Sequence, residues 1–117
     1  MSLKIIPTPT FEKELKKLAK KYPSMKEDYK KLLEYLSQNP QPKKYSIGNG
    51  LFKIRLKIES LRKGKSGGAR VITAVLAEKQ DEAKIYLARI YEKSDKEDLS
   101  SKEYQAIKDM YLNNDHT

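Results

Sequence analysis

Residues 52–58 alternate without a break: Phe52, Ile54, Leu56 and Ile58 are apolar, and Lys53, Arg55 and Lys57 between them are cationic. A strand sends successive side chains to opposite faces, whereas a helix would scatter these residues around its circumference. The run therefore predicts a strand with one apolar and one cationic face. Upstream, residues 3–6 form a short apolar run closed by Pro7, which predicts a strand at or near a sheet edge. Thr8 and Pro9 then supply an N-cap and a proline at the first helical position. Phe11, Leu15, Leu18, Ala19 and Tyr22 keep helical spacing up to Pro23. Ser24 and Glu27 have the spacing of a capping box, and Met25, Tyr29, Leu32, Leu33 and Leu36 give the helix after it an apolar stripe. Asn39, Pro40 and Pro42 stop that helix.

Past the cationic strand and a loop closed by Gly67 and Gly68, residues 71–77 are apolar and rich in β-branched side chains, as a central strand requires. A polar turn is predicted over 78–83 and a further strand over 84–91, with Leu87, Arg89 and Tyr91 on one parity. A charged turn over 92–98 leads to a second capping box, Ser100 with Glu103, flanked by Leu99 and Tyr104 in the spacing of a hydrophobic staple. The last helix carries Tyr104, Ile107, Met110 and Tyr111 and ends at Asn113 and Asn114. The predicted order is β-α-α-β-β-β-α: an α+β domain over residues 1–117, with a mostly antiparallel twisted sheet and the helices on one face. Repeats and low-complexity segments are absent.

Charge changes this picture from a generic small domain to one with a polyanion partner. Residues 43–70 hold nine basic side chains (Lys43, Lys44, Lys53, Arg55, Lys57, Arg62, Lys63, Lys65 and Arg70) against Glu59, a formal +8 of the chain's +9. The remainder is nearly balanced. Lysines kept on an edge strand for solubility are the ordinary alternative. Charge gathered on one strand face and its loop is the footprint expected of a nucleic-acid binder. On the first two helices, by contrast, lysines and acids are interspersed, with Glu12–Lys16 and Glu27–Lys31 spaced as ion pairs, which reads as a solvated face.

Composition narrows the chemistry. The chain has no cysteine, which removes disulfides, thiolate zinc sites and a cysteine nucleophile and fits a reducing compartment. No apolar run approaches the roughly 20 residues that span a bilayer, and the apolar start is too short for a signal peptide, so a cytoplasmic protein is expected. The single histidine, His116, lies beyond the last helix. No acidic cluster has metal-ligand spacing; Asp95, Glu97 and Asp98 read as a turn that complements the next helix dipole. Neither phosphate-binding glycine motif is present, and the glycines read as turn residues. Lysine, arginine and tyrosine remain. Arginine gives phosphate oxygens fixed bidentate donors, a lysine crowded by cations gives up its proton more readily, and tyrosine can stack on a base. That set suits cleavage of RNA by its own 2′-hydroxyl, and would serve a binding surface equally.

Gly50-Leu-Phe-Lys-Ile-Arg55, then Lys63-Gly-Lys-Ser-Gly-Gly-Ala-Arg70-Val-Ile, then Ile90-Tyr-Glu-Lys93 with Asp98-Leu-Ser100, resemble the RelE/ParE toxin superfamily, and most of all its HigB-like branch. The resemblance runs from about Thr8 to Tyr111. It implies a RelE-like fold and a toxin of a bacterial type II toxin–antitoxin system: an mRNA interferase, a metal-independent endoribonuclease without cofactor that cuts translated mRNA in the ribosomal A site. It implies contacts to ribosomal RNA and a cognate antitoxin carrying a DNA-binding domain. The family's catalytic strand lysines match Lys53 and, as arginine, Arg55, with Lys57 where a further basic residue is common. Its transition-state arginine matches Arg70, and its C-terminal aromatic and basic members match Tyr91 and Lys93. Tyr91 reads equally as a packed strand-end residue. Arginine is a poor proton acceptor, so Lys53 or Lys57 is the better base. Lys43, Lys44, Arg62, Lys63, Lys65 and Arg89 would hold RNA or ribosome. Two alternatives share the fold or the charge: a ParE-like gyrase inhibitor, which has no evident need of the cationic strand, and a non-catalytic RNA-binding module.

Overall fold

The computed structural model describes residues 2–61, 67–79 and 82–113. Along the chain these form β1 (Ser2–Pro7), α1 (Pro9–Lys21), α2 (Met25–Gln38), a 3₁₀ turn (Lys43–Tyr45), β2 (Ser46–Gly48), β3 (Leu51–Leu56), β4 (Ala69–Lys79), β5 (Glu82–Glu92) and α3 (Ser101–Tyr111). The sheet order is β1-β5-β4-β3-β2. Every neighbouring pair is antiparallel except β1 with β5. The architecture is the α+β one predicted, with β1 at the edge. It has one more strand: β2 pairs with β3 through a tight turn in which Asn49 (φ 56°) and Gly50 (φ 81°) both take left-handed backbone, the geometry favoured by an Asn-Gly hairpin. No helix of the described residues is long and apolar enough to cross a membrane.

The alternating run sorts as its parity requires. Phe52, Ile54, Leu56 and Ile58 are all buried, and they meet Phe11, Leu18, Met25, Leu32 and Leu36 from the helical hairpin. Each such side chain contributes about 1.5–3 kcal/mol by leaving water. The helices are not on one face, however. Leu51, Ile72, Ala74, Ala88 and Tyr91 form a second cluster with Leu99 and Ile107 of the α3 region, so the sheet is covered by the hairpin on one side and partly by α3 on the other. The strand residues of this cluster mostly alternate with those facing the hairpin. Such a short second set of apolar positions is masked in sequence by the charged residues sharing its parity. Ala19, part of the predicted stripe of α1, is exposed.

Three local predictions come out differently. Strands β4 and β5 extend to Lys79 and Glu82, which pair with each other, so the polar turn expected over 78–83 shrinks. The single parity of Leu87, Arg89 and Tyr91 is broken by a bulge: Thr73 pairs with Leu87 but Ile72 pairs with Arg89, leaving Ala88 as the extra residue. Leu87 therefore packs under the hairpin while Tyr91 joins the α3 side. The capping box at Ser24 does not form. The Ser24 hydroxyl donates to Asp28 Oδ2 at 2.6 Å and accepts from the Ser60 amide at 2.9 Å. Asp28 is 2% exposed and also accepts the Glu59 amide at 3.2 Å; a buried carboxylate needs these donors more than a helix end open to water does.

Two caps do form as read. Thr8 accepts from the Phe11 amide and donates to the Leu87 carbonyl at 2.9 Å, tying the start of α1 to β5. Ser100 and Glu103 make the reciprocal capping box of α3. Strand β1 covers β5 only as far as Leu87, and beyond it α1 takes over. There the Glu14 carboxylate accepts the Ile90 amide at 2.9 Å and the Arg89 guanidinium at 2.7 Å.

Gly68 fixes the entry to β4. Its φ is +93°, and a Cβ there would lie 2.7 Å from the Leu56 carbonyl oxygen, while its own carbonyl accepts the Lys93 amide. Gly68→Ala is expected to destabilise the protein by about 1–3 kcal/mol, measured by denaturant unfolding, because neither the backbone conformation nor the β3–β4 approach leaves room for a methyl group.

Candidate nucleic-acid interface

Strand register assembles the site. Arg55 on β3 lies opposite Arg70 on β4, and Arg70 lies opposite Tyr91 on β5, so three residues far apart in sequence form one row across the sheet. One step along, Lys53 faces Ile72. The row lies on the face shared with α3. There a concavity of about 680 Å³ is lined by the cations Lys44, Lys53, Arg55, Arg70 and Lys93. Tyr45, Ser46 and Ile47 build one wall, and Glu97 and Asp98 bring two acids to the rim.

Arg70 is the electrostatic centre. It is 7% exposed, and the one hydrogen bond it makes among the described residues is to the neighbouring Ala69 carbonyl at 3.2 Å. Neither Arg70 nor Arg55 has a carboxylate partner among the described residues. Burial, and then the charge of Arg55, lower the Arg70 pKa from its ordinary value, with Tyr91 and Tyr45 acting partly against them. A buried cation beside a second cation, unneutralised, is costly in the free protein and is relieved by an anion.

Lys53 is differently placed. Its ammonium sits 3.2 Å from Asp98, whose Oδ1 also accepts the Leu99 amide at 2.8 Å and the Tyr104 hydroxyl at 2.5 Å. Burial would raise the Asp98 pKa, but the bonds from Tyr104, Lys53 and the Leu99 amide outweigh it and hold the carboxyl below its ordinary value. Burial, together with the bond to Asp98, pushes the Tyr104 phenol well above the ordinary tyrosine value. Tyr91 is buried beside this group. Among the described residues its hydroxyl makes no well-directed hydrogen bond, although it and the Tyr104 phenol influence each other's acidity. Burial raises the Tyr91 pKa.

Lys93 is set by its neighbours on both sides. Its amide bonds to Gly68, and the preceding Glu92, 5% exposed, accepts from Tyr22 at 2.6 Å, Ser94 at 3.0 Å and Lys21 at 3.2 Å. Those bonds keep the Glu92 carboxyl ionised below its ordinary pKa against the opposing effect of burial.

The concavity thus gathers Lys53, Arg55, Arg70 and Lys93 from the predicted catalytic set and Lys44 from the predicted binding set. Tyr91 lies beneath it in the second core. Lys57 does not line it: its side chain is 81% exposed and pairs with Glu59 at 3.4 Å. Lys43 is exposed in the 3₁₀ turn, away from the lining. Arg89 is engaged elsewhere, clamped between Glu14 at 2.7 Å and Glu103 at 3.3 Å. Arg62, Lys63 and Lys65 lie outside the described residues. Sequence reading missed Tyr45, whose ring carries the Lys44 ammonium 5.1 Å from its centroid, and Ile47, 44% exposed, both of which line the concavity. It also gave Asp98 to the helix dipole. The Asn49-Gly50 dipeptide was the available signal for the first omission, since the hairpin it makes folds residues 45–47 against β3.

Compared with known families, residues 8–115 match the family described as the RelE toxin of the RelE / RelB toxin-antitoxin system. No curated protein matches the chain.

Glu103 joins α3 to the Arg89 clamp, and the capping bond from the Ser100 amide is the largest of the effects holding its pKa down to about 2, from an ordinary 4.5. A carboxyl more acidic folded than unfolded stabilises fully above the unfolded value and loses that contribution as pH falls through the folded one. Stability should therefore drop between about pH 4.5 and 2. In Glu103→Gln the acid limb of a stability–pH curve should be shallower than in wild type, though not flat, because Glu92 and Asp98 titrate in the same direction.

Proposed function

The chain belongs to the RelE toxin family, and from that membership we propose that it is a ribosome-dependent mRNA endoribonuclease of the HigB-like branch, the toxin of a type II toxin–antitoxin system. The observation that carries the reading is the buried guanidinium of Arg70, without a carboxylate partner among the described residues, set against Arg55 on the wall of a cationic concavity. A site with that much unneutralised charge favours a phosphate, and favours it more as negative charge accumulates.

In the proposed reaction the RNA 2′-oxygen attacks the adjacent phosphorus and the bond to the 5′-oxygen breaks. The 2′-hydroxyl gives up its proton, the 5′-oxygen gains one, and the products carry a 2′,3′-cyclic phosphate and a 5′-hydroxyl. Arg70 and Arg55 are the groups suited to the phosphorane oxygens, because their donors are fixed and always charged. Of the two lysines nominated for proton transfer, Lys53 lines the concavity and Lys57 does not, so Lys53 takes that role. Lys93 and Lys44 add phosphate contacts, and Tyr45 stacks on a base. RNA unstacked at a codon in the ribosome suits so open a site better than a closed duplex would. The cognate antitoxin, in this reading, carries a DNA-binding domain and lays an acidic segment over the cationic face, neutralising it.

Primer extension on an mRNA translated in vitro tests the reading. Cuts within codons, in the presence of ribosomes and not without them, are expected. Intact message in both reactions, with folded protein, would refute it. Arg70→Met, which keeps the volume and removes the charge, should reduce cleavage on the order of 10²–10³-fold while leaving thermal stability unchanged or raised. Unimpaired cleavage by this variant would remove Arg70 from the site.

A further inference from the structure

Asp98 is an anomaly in a concavity built to receive an anion. It comes from the segment just before α3, and Glu97 is the other acid lining the site. Its carboxylate is nonetheless held by three other groups. Oδ1 takes three donors from three directions: the ammonium of Lys53 on β3, the phenol of Tyr104 on α3, and the amide of Leu99 beside the helix cap. Leu99 and Ile107 anchor that end of α3 in the second core, and Tyr104 packs against the same core. The carboxylate thus transmits the position of α3 to a lysine on the sheet.

A negative charge here weakens attraction for RNA, because it competes with phosphate for Lys53. A cluster meant only to bind RNA would be better without it. Its presence makes sense if the position of Lys53 matters more than the extra attraction. We infer that Asp98 is a positioning residue for the cleavage proposed above, holding the Lys53 ammonium and the Tyr104 hydroxyl at fixed places over the row formed by Arg55 and Arg70, at a cost in RNA affinity. The inference rests on the nuclease reading, and it makes binding and rate respond in opposite directions to one substitution.

Asp98→Asn keeps the shape and an acceptor oxygen and removes the charge. Lys53 then becomes free to neutralise one more phosphate. Binding of a single-stranded RNA oligonucleotide should tighten several-fold, and the slope of log K against log salt should steepen by roughly 0.7. Single-turnover cleavage on ribosomes should fall on the order of 10²-fold, because misplacement by about an ångström costs that much, with no loss in the concentration dependence. Asp98→Glu should recover part of the rate. Tyr104→Phe, which leaves the ion pair and removes one anchor of the carboxylate, should lower the rate less and leave the salt slope unchanged. Tighter binding with undiminished cleavage in Asp98→Asn would overturn the inference, and so would parallel loss of binding and rate, the mark of a merely structural residue. If Asp98→Asn fails to fold, Tyr104→Phe decides, since an unchanged rate there overturns the positioning role. Wild-type protein that cuts nothing would refute the nuclease reading instead. The salt slope would then still test the pair, and equal slopes for wild type and Asp98→Asn would overturn the claim that Asp98 withholds Lys53 from phosphate.

Discussion

The register of β3, β4 and β5 sets Arg55 directly against Arg70, and the rest of the site depends on that pairing. Like charges opposite each other on a sheet repel, so the row does not form on its own account. It is imposed from the other face. Phe52, Ile54 and Leu56 on β3 and Val71 and Val75 on β4 are buried under the helical hairpin, and a slip of one residue would turn all of them to the opposite face of the sheet. Gly68 adds a backbone constraint at the turn into β4. Apolar burial on one side of the sheet thereby holds an electrostatically unfavourable arrangement on the other.

The acids show how the chain keeps this arrangement unneutralised. Glu14 and Glu103 are occupied with Arg89, Glu92 with Tyr22, Ser94 and Lys21, and Asp28 with the turn at Ser60. Each is matched to donors other than Arg55 and Arg70. Asp98, which does reach the concavity, is bonded to the lysine beside the row, and neither arginine has a carboxylate partner among the described residues. Under the function proposed for this RelE-family toxin, one cationic face would meet both RNA and antitoxin.

What sequence disclosed, and what it did not, divides along sequence distance. The parity of residues 52–58 was legible because alternation is a property of neighbours, and so were the caps at Thr8 and Ser100. The cationic concentration over 43–70 pointed to the face on which Lys53, Arg55 and Arg70 line the concavity. Arg89 looked like one more cation of that surface, and only the fold brings Glu14 and Glu103 to it. Asp98 looked like a helix-end acid, because Lys53 is on a strand far from it in sequence. The Ser24–Glu27 spacing suggested a capping box, but Asp28 and Ser60 compete for the same hydroxyl, and Ser60 is far along the chain. The bulge at Ala88, which turns Leu87 and Tyr91 to opposite faces, leaves no local mark at all. Each of these depends on pairing between distant segments, which local patterns do not encode.

The meeting of Glu14 with β5 also bears on how other chains can attach. A sheet edge with free amides invites a further strand, and proteins commonly recruit partners that way. In this chain the stretch of β5 beyond β1 is occupied by a helix whose carboxylate takes the amide of Ile90. At the opposite side of the sheet β2 is three residues long and ends at a glycine in left-handed backbone. A partner that docks by strand addition is left with the outer side of β1, or must first lift α1 and leave Arg89 with Glu103 as its remaining counter-charge.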